Sequence, residues 1–199
     1  MHKIFNRVKD IVLKPKETWN TISTEETSVA KLGREYLLIL AAVPSLASFL
    51  GNWIIGIRIP FVGFYRLTFG ESLINSIVIY ILIVAEIWAV GKLISLLAKN
   101  FSSNRDDIRG FKVAVYIFTP YLASGVFNLI PYFSPLMLIA GLYGLYLLYI
   151  GLPVVMETPK EKSLPYFVVI LTAIVLIFII VSMISGAILK AFGPSLPRI

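Results

Sequence analysis

Glu86 is the side chain of this sequence best placed to do chemistry, because it is an acid inside the apolar run 72–91. An ionised carboxyl near the centre of a bilayer costs about 2.5–3.5 kcal/mol or more, so it is expected to face protein or water. Hydroxyl side chains at the same depth could bond it, namely Tyr116, Thr119, Tyr146 and Tyr149. Two interpretations stay open: a proton or cation relay, and a structural hydrogen bond between helices. The second predicts that Glu86→Leu lowers stability.

Catalytic constellations are missing from the sequence. It has no cysteine and a single histidine, His2, which excludes disulfides and Cys/His sites for zinc or iron–sulfur clusters. The acid pair Glu25-Glu26 resembles that of some membrane proteases, but it lies in a hydrophilic segment and has no intramembrane histidine to act with. There is no GxSxG motif and no P-loop. We therefore predict a protein that is not an enzyme, with no catalytic residue, no metal and no cofactor.

A second acid pair, Asp106-Asp107, lies between Arg105 and Arg109 in a polar loop. A pair of acids could hold a metal ion, but here each acid has a basic neighbour within three residues. We interpret the segment as a solvated loop whose charges pair with one another.

Five apolar stretches set the architecture. A helix needs about 20 apolar residues to cross a bilayer, and charged residues are only 15% of this chain against about 25% in a typical soluble domain. The sequence predicts an all-α polytopic membrane protein, a bundle of five transmembrane helices with an N-terminal amphipathic interfacial helix. The expected spans, within a membrane domain of residues 36–191, are 36–57, 71–98, 111–130, 133–156 and 166–190. Residues 1–35 would form a cytoplasmic segment and residues 192–199 an external tail.

The placement of the basic residues predicts the orientation. Of the 18 lysines and arginines, 14 lie in or beside the N-terminal segment, the second loop and the fourth loop, which five spans put on one side. Basic residues stay cytoplasmic during insertion, so we predict a multi-pass protein of the cell membrane with its N-terminus inside and its C-terminus outside. The basic residues follow the membrane edges and do not alternate with stacking aromatics, which argues against nucleic acid as a partner.

The N-terminal segment has an amphipathic pattern. At 100° per residue one arc of about 120° holds only apolar side chains, and these are Ile4, Phe5, Val8, Ile11 and Val12. Basic side chains lie opposite, among them Lys3, Arg7 and Lys9, and Trp19 follows after Pro15. Such a helix commonly lies in the membrane interface, with an indole at the headgroup level. The alternative is that the apolar face packs on the cytoplasmic ends of the bundle.

Three segments carry a resemblance to a known family. They are Gly91-Lys-Leu followed by a polar loop and Phe111-Lys-Val-Ala-Val-Tyr-Ile-Phe-Thr-Pro-Tyr, then Gly141-Leu-Tyr-Gly-Leu-Tyr-Leu-Leu-Tyr-Ile-Gly-Leu-Pro-Val-Val-Met, and the N-terminal Pro15-Lys-Glu-Thr-Trp-Asn-Thr-Ile. Their order resembles the Yip family of membrane proteins, which interact with Ypt/Rab GTPases, and in particular its prokaryotic members. The resemblance implies five spans and a cytoplasmic N-terminus. The Asp-Leu-Tyr-Gly-Pro motif of eukaryotic members is absent, so the resemblance does not extend GTPase binding to this chain.

Two functions of different classes follow from these features. The first is a non-enzymatic adaptor or organiser in membrane or vesicle-related processes, whose cytoplasmic face binds a protein partner while the spans and the amphipathic helix bind the bilayer. The alternative is a transporter or channel for a small solute, ion or proton, with a polar site around Glu86. The two differ in whether the bundle interior is packed or holds a polar cavity.

Overall fold

Seven helices make up the protein in a computed structural model that describes residues 2–59 and 63–192. Two short helices come first, α1 (His2–Leu13) and α2 (Pro15–Thr24). Five helices long and apolar enough to cross a membrane follow: α3 (Val29–Ile55), α4 (Phe69–Phe101), α5 (Asp107–Leu129), α6 (Pro131–Val155) and α7 (Lys160–Phe192). The predicted all-α, five-span membrane fold is confirmed.

The helices extend beyond the apolar runs because polar side chains bond their ends. The Ser28 hydroxyl accepts the backbone N–H of Lys31, so α3 begins seven residues before the predicted span at 36. Thr68 and Glu71 form a reciprocal capping box that starts α4, and Asp106 accepts the N–H of Ile108 at the start of α5. Hydrophobicity alone marks the membrane-embedded part of a helix, not its capped ends. The predicted tail at 192–199 lies outside the described residues, except for Phe192.

The third span, α5, forms the centre of the bundle. In its most apolar window 67% of the residues are buried inside the protein, against 6% in the corresponding window of α7. The outer helices thus offer apolar surface to lipid, and α5 is the helix against which the others pack.

One close crossing in this core is between α4 and α5. A Cβ atom added to Gly110 would lie 2.5 Å from the Gly91 carbonyl oxygen and 2.9 Å from the Ser95 nitrogen. Because lipid supplies no hydrophobic drive between helices, such close backbone approach is the means of gaining packing energy in a bilayer.

The loop between α3 and α4 contains two short strands that the sequence pattern did not indicate. β1 (Ile57–Ile59) pairs antiparallel with β2 (Gly63–Tyr65), with Arg58 opposite Phe64. Three-residue strands are too short to show an alternating pattern. They form a small appendage at the end of the bundle opposite α1 and α2 and leave the all-α class unchanged.

Candidate functional site

Most charged side chains gather at one end of the bundle, which we call the charged end. It consists of α1, α2 and the segments 98–106 and 156–159, which join α4 to α5 and α6 to α7. The Asn104 N–H donates to the Met156 carbonyl at 2.9 Å, and the Tyr143 hydroxyl donates to the Val12 carbonyl at 2.7 Å. These bonds put the N-terminal helices and both loops on the same side.

Lys112 of α5 connects the membrane core to α2. Its ammonium donates to the carbonyls of Ile22 at 2.8 Å and Glu25 at 2.6 Å, at the C-terminal end of α2. The carbonyls at a helix C-terminus have no partner within the helix and carry partial negative charge, so a cation stabilises them. The side chain is only 5% exposed. In the sequence Lys112 was simply one more basic residue at the edge of a span.

Trp19 of α2 packs against a glycine of α6. A Cβ atom on Gly151 would lie 2.5 Å from Cζ2 of the indole, so only a glycine leaves room for the ring. The indole also meets the Tyr116 ring edge to face, with centroids 6.1 Å apart. The sequence placed Trp19 at the lipid headgroup level. The structure places it inside the protein instead, 1% exposed, because Gly151 leaves a space of its shape.

The predicted amphipathic helix, α1, packs partly on the bundle. Ile11 is fully buried, and the remaining members of the apolar arc other than Phe5 are partly buried against the same core. Phe5 is 69% exposed and Lys3 and Lys9 are exposed. Arg7 pairs with Glu25 at 2.6 Å and lies 5.8 Å above the Tyr116 ring. The helix therefore has one face on protein, while Phe5 stays free of the bundle.

A cleft of about 460 Å³ opens between α1, α2 and the start of α3. Its walls carry basic and acidic side chains side by side, which include Lys3, Arg7, Asp10, Glu25, Glu26, Lys31 and Glu35. Mixed charges of this kind suit a peptide or protein surface better than a single small ion.

Ion pairs at the charged end join the start of α5 to the 156–159 loop and to α4. Arg109 donates to the Glu157 carboxylate at 2.6 Å and to the Val155 carbonyl at 3.0 Å, and its hydrogen bond holds the pKa of Glu157 below its usual range. Lys92 pairs with Asp107 at 2.7 Å. Within 2–59 and 63–192, no group of three or more His, Asp or Glu side chains could hold a metal ion. The loop acids thus bond to basic side chains, some of them on other segments.

Glu86 lies at a second, intramembrane site. It is 8% exposed and lines a cavity of about 280 Å³ between α4, α5, α6 and α7. Tyr121 lies on the same wall, and the other described lining is apolar or glycine. Among the described residues no side chain or backbone group makes a hydrogen bond to the carboxyl.

The predicted partners of Glu86 are not brought to it. The Thr119 hydroxyl bonds the Tyr36 hydroxyl at 3.1 Å and the Val115 carbonyl, and Tyr116 packs toward the charged end. Tyr146 and Tyr149 point away from the core, 43% and 53% exposed. Similar depth along the spans is not enough for contact, because the rotation of each helix about its axis decides which side chains meet. The tyrosine that lines the same cavity as Glu86 is Tyr121, one turn of α5 after Ile117.

Replacing Glu86 with leucine is expected to raise the stability of the protein by about 1–3 kcal/mol, because it removes a largely buried carboxyl that has no hydrogen-bond partner among the described residues. The measurement is the thermal midpoint in detergent. Glu86→Gln is the matched control and should change the midpoint less, since it keeps a buried polar group. A clear loss of stability in Glu86→Leu would mean that the carboxyl has a bonding partner after all.

Comparisons with known proteins agree with this architecture. The family model described as the Yip1 domain matches residues 9–183. The chain is also similar to the inner membrane protein YohC of Escherichia coli K12, with 25% identity over 155 residues, which covers 76% of this chain and 80% of YohC. The YohC of the strain CFT073 is similar to the same degree. No solved structure matches. The chain is an integral membrane protein that belongs to the Yip1 domain family.

Proposed function

We propose that the protein acts without catalysis, as a membrane-embedded adaptor whose charged end binds a partner protein. The observation that supports this most is the packing of α1 and α2 onto the bundle through Lys112, Trp19 and Tyr143. This packing builds a defined surface with a cleft of mixed charge out of a segment that would otherwise be a flexible tail. The walls of that cleft include carboxylates and cations together, and these could pair with complementary charges on a protein.

The partner is recognised at the membrane surface in this proposal. Phe5 and Leu13 of α1 are exposed apolar side chains, 69% and 66% exposed, and exposed lysines lie near them. An apolar patch with basic neighbours favours the boundary between headgroups and acyl chains. α1 would therefore contact the bundle with Ile11 and lipid with Phe5, in the manner of an interfacial helix that is also part of the folded protein.

The charged end is expected to face the cytoplasm, because it holds most of the basic residues. YohC, the inner membrane protein that the chain resembles, suggests a bacterial-type inner membrane as the location.

This orientation can be measured on single cysteines, since the protein has none of its own. Asn104→Cys, at the charged end, should react with an impermeant thiol reagent only after the cytoplasmic side is opened. Tyr132→Cys, between α5 and α6, should react in intact cells. The same accessibility for both positions would contradict a bundle whose charged end is cytoplasmic.

The adaptor function can be tested by photo-crosslinking in the cells that make the protein. A photoreactive amino acid at Glu26 or Lys31, exposed at the cleft, should give a discrete adduct with one protein. The same group at Tyr132, exposed at the opposite end, is the control and should give no such adduct. Equal adducts from both ends, or none from the cleft, would contradict the proposal.

Transport is the second candidate, and the intramembrane position of Glu86 beside a cavity favours it. The described lining of that cavity has only Glu86 and Tyr121 as polar side chains and does not form a polar row from one face to the other. Purified protein in liposomes should accordingly conduct no more protons than protein-free liposomes. Proton flux that is present in the unchanged protein and lost in Glu86→Gln would mean that the protein is a transporter and not an adaptor.

A further inference from the structure

A groove on the side of the charged end has the chemistry of a lipid site. It has a volume of about 530 Å³ and runs between α2, the last turns of α6 and the first turns of α7. It is separate from the cleft of mixed charge, and its described lining shares no residue with that cleft. The proposed binding of a partner protein does not involve this groove.

The rim of the groove is basic. Lys16 of α2 and Lys160 of α7 are both exposed and both line the groove, although they are far apart in the sequence. Among the described residues of the lining there is no aspartate or glutamate, and neither lysine forms an ion pair with a described acid. Other basic residues of this end do pair, as Arg7, Lys92 and Arg109 show. The groove therefore offers uncompensated positive charge at one place.

Apart from the two lysines, most of the groove's lining is apolar or aromatic. The apolar part is lined by Ile150 and Val154 and flanked by Tyr149 and Leu164, which are 53% and 59% exposed. These residues belong to the spans α6 and α7, so the apolar part continues from the rim into the membrane. A hydrocarbon chain fits such a surface, and a water-soluble ion does not need it.

A buried donor without a partner also lies at the groove. Trp19 lines it, and its indole Nε1 is buried with no hydrogen-bond partner among the described residues. A buried N–H without an acceptor is unfavourable. Asn20 and Ser163 are further polar side chains on the same wall.

From these features together we infer that the groove binds a phospholipid with a negatively charged headgroup. The phosphate lies between Lys16 and Lys160, and the acyl chains lie along α6 and α7 toward the bilayer. Basic pockets between spans at the cytoplasmic surface are a recurring way of holding anionic headgroups. The bound lipid would lie against α2, α6 and α7, which the protein itself already holds together, and would cover the groove from the membrane side. This site is independent of the proposed protein partner.

The test uses Trp19 as the reporter, in the full chain with Trp53→Phe and Trp88→Phe so that it is the only tryptophan. In nanodiscs, lipids brominated on their acyl chains quench a nearby tryptophan. The mole fraction that quenches half of the Trp19 fluorescence should be at least about fivefold lower for brominated phosphatidylglycerol than for brominated phosphatidylcholine. The double variant Lys16→Gln/Lys160→Gln should lose this preference. Lys99→Gln/Arg105→Gln removes the same charge from other exposed positions at the same end and should keep it.

Three results would overturn the inference. One is equal quenching by the two brominated lipids in the protein with both lysines. Another is the same loss of preference in both double variants, which would mean a general attraction of the charged end for anionic lipid. The third concerns a free phosphate: sn-glycerol 3-phosphate should not raise the thermal midpoint in detergent, while phosphatidylglycerol should, and an equal rise from both would assign the site to a soluble phosphate.

Discussion

Gly151→Ala should destabilise the packing of α2 on α6 by about 2–4 kcal/mol. The added Cβ would lie 2.5 Å from Cζ2 of Trp19, so the buried indole would have to shift. The ring must leave its site, which costs much of the free energy gained by burying a large aromatic side chain. The expected result is a lower thermal midpoint in detergent together with exposure of Trp19.

Gly141→Ala is the matched control, because it is the same substitution in the same helix. A Cβ at Gly141 meets only Cδ2 of Tyr121, at 3.8 Å, which is an ordinary contact. Its thermal midpoint should stay near that of the unchanged protein. If both variants lose the same stability, the effect belongs to helix α6 in general and not to the contact with Trp19.

Lys112→Met should release α2 from the bundle. The change keeps the length and apolar stem of the side chain but removes two charge-assisted hydrogen bonds, each worth about 1.5–3 kcal/mol. The carbonyls of Ile22 and Glu25 then lose their buried donor. Amide hydrogen exchange in residues 15–24 should rise by at least about tenfold, because α2 opens more often.

Lys92→Met is the control for this variant. Lys92 lies at the same end and forms a 2.7 Å ion pair with Asp107, but its side chain is 42% exposed. Exposed ion pairs contribute about 0–1 kcal/mol, so exchange in α2 should hardly change. Similar exchange rates in the two variants would contradict the role of Lys112 in holding α2.

The five spans could be predicted from the sequence because the thickness of a bilayer sets the length of an apolar run. The same argument placed Glu86 inside a span, and it lies in α4. It could not choose the partners of Glu86, because those depend on how each helix is rotated about its axis. Tyr116 and Thr119 were plausible by depth alone, whereas Tyr121 shares the cavity.

Packing of the amphipathic helix on the bundle was one of two alternatives from the sequence, but the particular contacts between α2 and the spans could not be predicted, for a related reason. Trp19 and Gly151 lie far apart in the chain, and nothing local to either residue indicates the other. From the sequence, Lys112 was interpreted as a basic residue on the cytoplasmic flank of a span, and Trp19 as an aromatic residue at the membrane interface. Both residue types commonly have those roles. A close pairing of a glycine with a ring can be recognised only once the two helices are known to meet.

Packing of α1 and α2 on the bundle underlies both the adaptor proposal and the lipid site, and a spin-label distance tests it most directly. Nitroxide labels at Asn20→Cys and Glu161→Cys, both exposed at the charged end, report the separation of α2 from the start of α7. Pulsed electron paramagnetic resonance in nanodiscs should give one narrow distribution of the distance between the labels, and this distribution should be the same in neutral and in anionic lipid. A broad distribution, or one that shifts to longer distances in neutral lipid, would mean that the N-terminal helices are held by the membrane surface and not by the protein.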